Sequence, residues 1–356
     1  MIIDEEVFEE GHFPQRLLHR ESAMGTLSRA FKPTLQDEPA EDVLVVGPPG
    51  VGKTVTVKHA LNRLQEETTV DIARVRSLGK SAAGILRAIL REFGTSPVRT
   101  TPRETLVESL DDHVTRPTIV VLDEADDVPD TDILPILFNQ RSLSVIPICH
   151  DDDDFLARVD GRVRSKLSGR KLELDRYGVD ALADILQERA RVGLRPQTWS
   201  RSVLETIADM AAGVARKGIQ TLRAAAELAR ERDHRVLSEV DIDDAYRRAL
   251  ADIRSANLAS MPFHHQLLYE LLRRDDREWV FSEDLFDKYD HVKETVYAGR
   301  DQIPIGRRAR RYKMPKLVDY ELVFEEGEDR NRRYAVCDAS IPSPLDFPAL
   351  DEELRE

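Results

Sequence analysis

Cysteine is almost missing from these 356 residues: there are two, Cys149 and Cys337, far apart in the chain. So sparse a count excludes a disulfide framework. Each thiol sits in an apolar, strand-like run, which fits a reducing compartment. Long apolar stretches are missing as well. No run approaches the length of a bilayer span. The opening MIIDEEVFEEGHF has no basic region followed by an apolar core, so it does not read as a secretory signal. The expectation is a cytoplasmic protein with no membrane partner. No internal repeats are visible, and no paired cysteines or histidines stand at zinc-binding spacing.

Positive charge is in deficit. Fifty-two basic residues face 66 acidic ones, for a formal net charge of −14, and arginine far outnumbers lysine. The apolar share, 41%, is ordinary and excludes a disordered chain. An acidic, arginine-biased surface suits work in concentrated salt, where carboxylates hold water and ions. At molar salt the screening length is about 3 Å, so self-repulsion costs little. The length suffices for two or three compact domains.

The most informative stretch is DVLVVGPPGVGKTVTVKHAL. A β-type run, Val43 to Val46, leads into Gly47-Pro48-Pro49-Gly50-Val51-Gly52-Lys53-Thr54, and a helical pattern follows from Val55. The spacing G-x-x-x-x-G-K-[ST] between a strand and a helix is a phosphate-binding loop. Its glycines let backbone N–H groups turn inward around phosphates at a helix N-terminus that already favours anions. Lys53 is expected to reach the β- and γ-phosphates and Thr54 to ligate Mg²⁺. A second apolar run, in RPTIVVLDEADDV, ends in Asp123 and Glu124. An acid at the end of a neighbouring parallel strand holds Mg²⁺ through water, and the next polarises the attacking water. A nucleotide is therefore expected here, with Mg²⁺ held by Thr54 and Asp123. Asp126 and Asp127 read as solvated turn residues.

The run VIPICHDDDDF, taken in isolation, suggests a metal site. Consecutive strand residues point to opposite faces, however, so Cys149 and His150 do not converge on one ion. Asp151 to Asp154 read as a solvated loop.

With the two nucleotide motifs in place, the chain resembles the AAA+ ATPases, and among them the archaeal origin-recognition and cell-division-control type replication initiators. LLHRESAMGTLSRAFKP looks like the segment before that family's first strand. DGRVRSKLSGRKLELDRYGVDALADILQERARVGL is similar to the stretch after its fourth strand. GVARKGIQTLRAAAELA matches the segment carrying a lid arginine. The resemblance implies that the nucleotide is ATP or ADP and that His19 and Arg20 lie near the adenine, with Val55 and Tyr177 completing the nucleotide-binding set. It implies that His150 stands where the family has a polar residue, usually asparagine, that meets the γ-phosphate or the attacking water. An imidazole there still donates a hydrogen bond but brings a pH dependence near neutrality. Arg216 corresponds to the lid arginine. Arg162 and Arg164 resemble the arginine that such assemblies supply to a neighbour's nucleotide, with no choice between them from sequence.

Strand and helix alternate as far as KLELDRY, giving an α/β layer with a parallel sheet. Strands are expected at Val43–Val46, Val70–Val75, Thr118–Leu122, Ser144–Cys149 and Lys171–Leu174. From Val179 to about Arg254 the pattern is helical throughout, with Ser238 as an N-cap of the last helix. FHHQLLYELLRR and a short helix FSEDLFDKYD follow. A basic segment, GRRARRYKMPK, precedes YELVF and RYAVCD, which read as two strands around a charged turn. Helices followed by such a hairpin form the pattern of a winged helix-turn-helix, with Pro315 interrupting the recognition segment. Arg307, Arg308, Arg310, Arg311 and Lys313 are candidate DNA contacts on that segment, and Arg330, Arg332 and Arg333 on the wing.

The fold expected is an α/β AAA+ P-loop core with a parallel sheet over 1–178, a helical lid over 179–254, a C-terminal winged helix-turn-helix domain over 255–340 and an acidic tail over 341–356. The function expected is an ATP-binding replication initiator that recognises double-stranded origin DNA in the nucleoid. Its weak ATPase would act as a switch, and the replicative helicase and initiator paralogues would be partners. Two other readings stay open: a clamp-loader or transposition-type AAA+ ATPase, and an ATP-dependent transcription or plasmid-maintenance regulator.

Overall fold

The computed structural model describes residues 1–348 and 350, so the end of the expected acidic tail, 351–356, lies outside the described residues. Two compact units emerge, Met1–Asp243 and Asp244–Glu356.

In the first unit α1 (Glu21–Phe31) precedes β1 (Leu44–Val46), α2 (Lys53–Glu67), β2 (Asp71–Arg76), α3 (Ala82–Glu92), α4 (Arg103–His113) and β3 (Thr118–Asp123). Then come α5 (Ile133–Phe138), β4 (Leu143–Cys149), α6 (Asp152–Arg158), α7 (Gly161–Ser168) and β5 (Lys171–Glu173). The five strands pair in parallel in the order β2-β3-β4-β1-β5. Both faces of the sheet are covered, and the two-residue period of each strand divides its apolar side chains between them. In β3, Val120 and Leu122 pack with α3, α4 and α5, while Ile119 and Val121 pack with α1 and α2.

A helical layer follows: α8 (Val179–Gly193), α9 (Arg201–Met210) and α10 (Ala215–Glu231). The unit boundary falls inside α11 (Glu239–Ser260). Ser238 does stand at the start of α11, but the bonding runs opposite to a simple N-cap. Its backbone N–H and its hydroxyl both donate to Asp241, at 3.2 and 2.6 Å. His234 and Arg232 also turn to Asp241, so this buried carboxylate organises the turn. Burial alone raises its pKa, and the hydrogen bonds from Ser238 and His234 outweigh that and hold it below the usual range.

Two short readings of the sequence are corrected here. Asp151 to Asp154 do not form a loop. Asp151 caps α6 by accepting the Asp153 N–H at 2.9 Å, and Asp152 to Asp154 fill its first turn. Acidic side chains at a helix N-terminus complement the unpaired N–H groups and the dipole, which is why four aspartates start a helix. Nor are Asp126 and Asp127 solvated. Both are half-buried in a 3₁₀ turn, Ala125–Asp127.

The second unit contains α12 (Phe263–Arg273), β6 (Val280–Phe281), α13 (Ser282–Tyr297), α14 (Arg307–Arg311), α15 (Met314–Asp319), β7 (Val323–Glu326) and β8 (Arg333–Val336). Its antiparallel sheet has the order β6-β8-β7. This element order and strand order are those of a winged helix-turn-helix. Helix α13 runs seven residues beyond the segment FSEDLFDKYD read from sequence, because Tyr289, Val292 and Val296 continue the buried stripe begun by Leu285. Pro315 sits in the first turn of α15, so the basic segment forms two short helices.

One of its arginines is internal. Arg310 is 3% exposed. Its guanidinium donates to Asp290 Oδ1 at 2.6 Å, to the Phe286 carbonyl at 2.7 Å and to the Ile305 carbonyl at 3.0 Å, and lies 4.0 Å from the Tyr289 ring centre. It ties α14 to α13 and is not available to DNA, which corrects the sequence expectation. Truncation leaves the Phe286 and Ile305 carbonyls without this donor and takes from Asp290 its shortest ion pair, leaving Lys293 and Arg307 beside it. Arg310→Ala should therefore lower the denaturant stability of this unit by about 3 kcal/mol, whereas Arg308→Ala should change it by less than about 0.5 kcal/mol. Urea unfolding followed by tryptophan and tyrosine fluorescence checks this, and equal midpoints for the two variants would contradict it.

Candidate functional site

Strand register decides which residues meet at the carboxyl ends of the sheet. Val46 pairs with Cys149, so Gly47 and His150 leave the sheet side by side, and His150 Nδ1 lies 3.3 Å from the Gly47 carbonyl. Arg76 pairs with Asp123, so the ends of β2 and β3 present their side chains together. The crevice beyond these ends is where open parallel sheets bind ligands.

The loop between β1 and α2 has no room for side chains at two turning points. A Cβ on Gly47 would stand 2.2 Å from the Leu174 carbonyl oxygen, and one on Gly50 would stand 2.7 Å from Val214. Gly50 and Gly52 adopt positive φ, 74° and 91°, which turns the loop around the N-terminus of α2. Lys53 folds back over this cradle, its ammonium donating to the Gly47 and Pro48 carbonyls at 2.5 and 2.9 Å. Pro49, Val51 and Val55 complete the loop and the first turn of α2, with Val51 buried.

Thr54 donates its hydroxyl to Asp123 Oδ2 at 2.8 Å. Burial pushes the Asp123 carboxyl up and the charge of Glu124 adds to it, while the Thr54 hydrogen bond opposes both. Glu124 sits at φ 57° and turns away toward Arg76, whose guanidinium donates to both carboxylate oxygens, at 2.8 and 3.3 Å. Lys80 closes this corner, donating to the Arg76 carbonyl at 2.7 Å. Burial and the adjacent Arg76 charge lower its pKa.

Beneath His150, Asp126 accepts the His150 backbone N–H at 2.7 Å, while Arg158 donates to the Asp126 and Val128 carbonyls. Cys149 is buried in the sheet core, which raises its thiol pKa well above the ordinary value. It does not share a site with His150.

Arg20 braces the loop from the other side. Its guanidinium donates to the Val51 carbonyl, the Asp175 carbonyl and the Tyr177 hydroxyl, each at 2.9 Å, and lies 3.9 Å from the Tyr177 ring centre. Burial raises the Tyr177 pKa. His19 turns outward to Asp184 of α8, 2.9 Å away, which Arg201 also engages. Arg216 comes from the start of α10. Its backbone N–H donates to the Gly50 carbonyl at 3.2 Å, which places it against the phosphate loop. Arg164 bonds the carbonyls of Leu156 and Ala157, at 2.7 and 3.2 Å, and so caps α6 of its own chain. Arg162 is exposed; its backbone N–H donates to the capping Asp160 at 2.8 Å, and its guanidinium has no acidic partner among the described residues.

Thus Thr54 meets Asp123, Lys53 and His150 both approach the Gly47 carbonyl, Glu124 turns to Arg76, and Arg216 touches the loop through its backbone. Arg76 and Asp126 were missed. The first stands in no motif, and only the pairing of β2 with β3 brings it to Glu124.

In the second unit Arg307 is engaged by Glu283, Asp287 and Asp290. Arg332 faces Glu325 at 3.5 Å, and Arg333 bonds Glu326 at 2.5 Å. Arg308 rests on Tyr312, and Arg311 and Arg330 are exposed with no acidic partner among the described residues. Lys313 is half-buried between the two short helices.

Comparison with known proteins agrees with this geometry. Residues 38–157 match the family model of an AAA domain, and residues 183–247 match a Cdc6 AAA+ ATPase-type lid domain. ORC1-type DNA replication protein 9 of Halobacterium salinarum is 31% identical over 350 residues, covering 96% of each chain. ORC1-type DNA replication protein 1 of the same organism is 27% identical over 300 residues, covering 81% of this chain and 95% of the relative. Among solved structures, the Aeropyrum pernix ORC1 protein in complex with DNA superposes with a TM-score of 0.73 at 22% identity, over 99% of this chain and 97% of that one. Cdc6p of Pyrobaculum aerophilum gives 0.65 at 21% identity, over 99% and 98%. Among the described residues no helix is long and apolar enough to cross a membrane. The phosphate loop, the acid pair beside it, the lid and a relative that is similar end to end lead to one conclusion: this chain belongs to the ORC1-type DNA replication proteins, the archaeal initiator branch of the AAA+ ATPases.

Proposed function

We propose that the chain binds ATP in its first unit, grips double-stranded origin DNA with its second, and uses slow hydrolysis to end the bound state. The observation that carries this reading is the Thr54–Asp123 contact of 2.8 Å beneath a phosphate loop. Around it, the loop from Gly47 to Thr54 holds the phosphates by its backbone N–H groups, Lys53 leaves its two carbonyl partners for the β- and γ-phosphates, and Tyr177, Arg20 and His19 border the base.

Thr54 and Asp123 fit Mg²⁺. A hydroxyl and a carboxylate already converge there, and this ion needs few protein ligands. When bound, it neutralises phosphate charge. Each remaining role belongs to a side chain of this protein. Glu124 orients the attacking water once it leaves Arg76, and His150 donates a hydrogen bond at the terminal phosphate. Arg216 brings the lid onto that phosphate, and Arg162 serves a neighbouring copy. The engagement of Glu124 by Arg76 supports slow turnover, because the base is ion-paired.

For the DNA surface, exposure and the lack of an acidic partner support Arg308, Arg311 and Arg330 as the phosphate contacts. Lys313 lies beside them, whereas Arg307, Arg332 and Arg333 must first leave carboxylates of their own chain. The similar structure solved in complex with DNA supports DNA as the partner.

Two tests follow. In nucleotide titrations in molar salt, Lys53→Ala should abolish ATP binding, and Arg76→Ala should raise ATP turnover by about tenfold by freeing Glu124. A fall in turnover with Arg76→Ala would show that this arginine assists the reaction instead. For DNA, Arg308→Ala with Arg311→Ala should weaken duplex binding across sequences and flatten its salt dependence by up to about two units of log–log slope, with ATP affinity unchanged. Unaltered duplex affinity would remove this surface from the proposal.

A further inference from the structure

The first dozen residues form a strap across the helical layer. The backbone N–H groups of Ile3 and Asp4 donate to the Gly193 carbonyl, at 2.8 and 3.3 Å, and Val7 and Phe8 are buried against the end of α8. Arg189 donates to the Val7 carbonyl at 2.7 Å and Gln220 to the Phe8 carbonyl at 2.8 Å. By Phe13 the chain has left these helices, and its ring stacks on His59 of α2, 5.1 Å away. Between the two anchors lie Glu9 and Glu10. Glu9 bonds Arg223 at 3.1 Å, and Glu10 accepts from Arg216 Nε at 2.6 Å, while Arg216 Nη2 closes on the same oxygen.

From this arrangement we infer that Glu10 is a positioning residue that sets the preference for ATP over ADP by competing with the terminal phosphate for Arg216. The inference rests on the reading of Arg216 as the lid contact to that phosphate. Nε and Nη2 form the edge of a guanidinium that grips oxyanions in a fork, and in this structure that edge is turned to Glu10. The same arginine is held against the phosphate loop through its backbone N–H and the Gly50 carbonyl. A third phosphate brought to the loop therefore meets a cation already neutralised by a carboxylate, and one of the two anions must give way. ADP, lacking that phosphate, leaves the Glu10 pair intact. The strap thus acts as a built-in counter-anion that lowers ATP affinity and leaves ADP affinity alone.

Affinities of the full chain for ATP and for ADP, measured in molar salt, test this. Glu10 is about half exposed, with 54% of its side chain open to solvent, so Glu10→Gln should tighten ATP binding by roughly two- to fivefold. ADP binding should stay unchanged. Glu9→Gln breaks the other ion pair of the strap and should alter neither affinity, which separates a specific role of Glu10 from loosening of the strap. The inference is overturned if Glu10→Gln shifts ATP and ADP equally, or weakens ATP. Arg216→Ala distinguishes the two levels. If it erases the preference for ATP while Glu10→Gln changes nothing, the inference alone fails. If it leaves the preference intact, the reading of Arg216 fails, and the inference with it.

Discussion

A hydroxyl and a carboxylate 69 residues apart, Thr54 and Asp123, meet at 2.8 Å, and the rest of the nucleotide site is arranged around that contact. Thr54 opens α2 after the loop that leaves β1, and Asp123 ends β3; β1 and β3 do not pair with each other, and β4 lies between them. The contact therefore exists only if the middle strand is in register with both neighbours. That register is fixed by apolar side chains alternating between two buried faces, since a slip of one residue would send Val120 and Leu122 to the opposite layer. Packing of the sheet and placement of the chemistry are one constraint. The same register brings Gly47 beside His150 and Arg76 beside Glu124.

Charge in this chain is organised by pairing. In a chain with a net charge of −14, several arginines at the two candidate sites have found carboxylates: Arg76 with Glu124, Arg216 with Glu10, Arg307 with three acids of α13. Exposed pairs contribute little to stability, so their consequence is occupancy. A guanidinium already engaged must exchange partners before it meets a phosphate. The nucleotide site and the winged-helix surface share this property, and it gives both a threshold. Arg308, Arg311 and Arg330 lack such a partner among the described residues, which is why they stand out on an otherwise neutralised surface.

Much of the fold was legible because its determinants are local. The phosphate loop, the acid pair at the end of an apolar run and the alternation of strand and helix each occupy a short window, and five strands lie within one or two residues of where periodicity put them. Resemblance added His150 and Arg216 to the site. Periodicity does not say which charges will meet across the fold. Arg76 and Glu124 are separated by 48 residues, Asp126 and His150 by 24, Arg216 and Glu10 by 206. The same limit explains Arg310. In sequence it is one of a cluster of basic residues, and only the packing of α14 on α13 shows that it faces inward. The four aspartates after His150 misled for a different reason: a polar run was read by its solubility, when its position before a helical segment made it a cap.

If nucleotide state sets how the second unit holds DNA, the two binding events are linked thermodynamically and the coupling is reciprocal. The decisive measurement is the affinity for an origin-type duplex of the intact chain saturated with ATP and again with ADP, at the same salt. The account predicts affinities that differ by about fivefold or more, with the duplex shifting the relative affinities for ATP and ADP by the same factor. Equal duplex affinity in the two nucleotide states would contradict it.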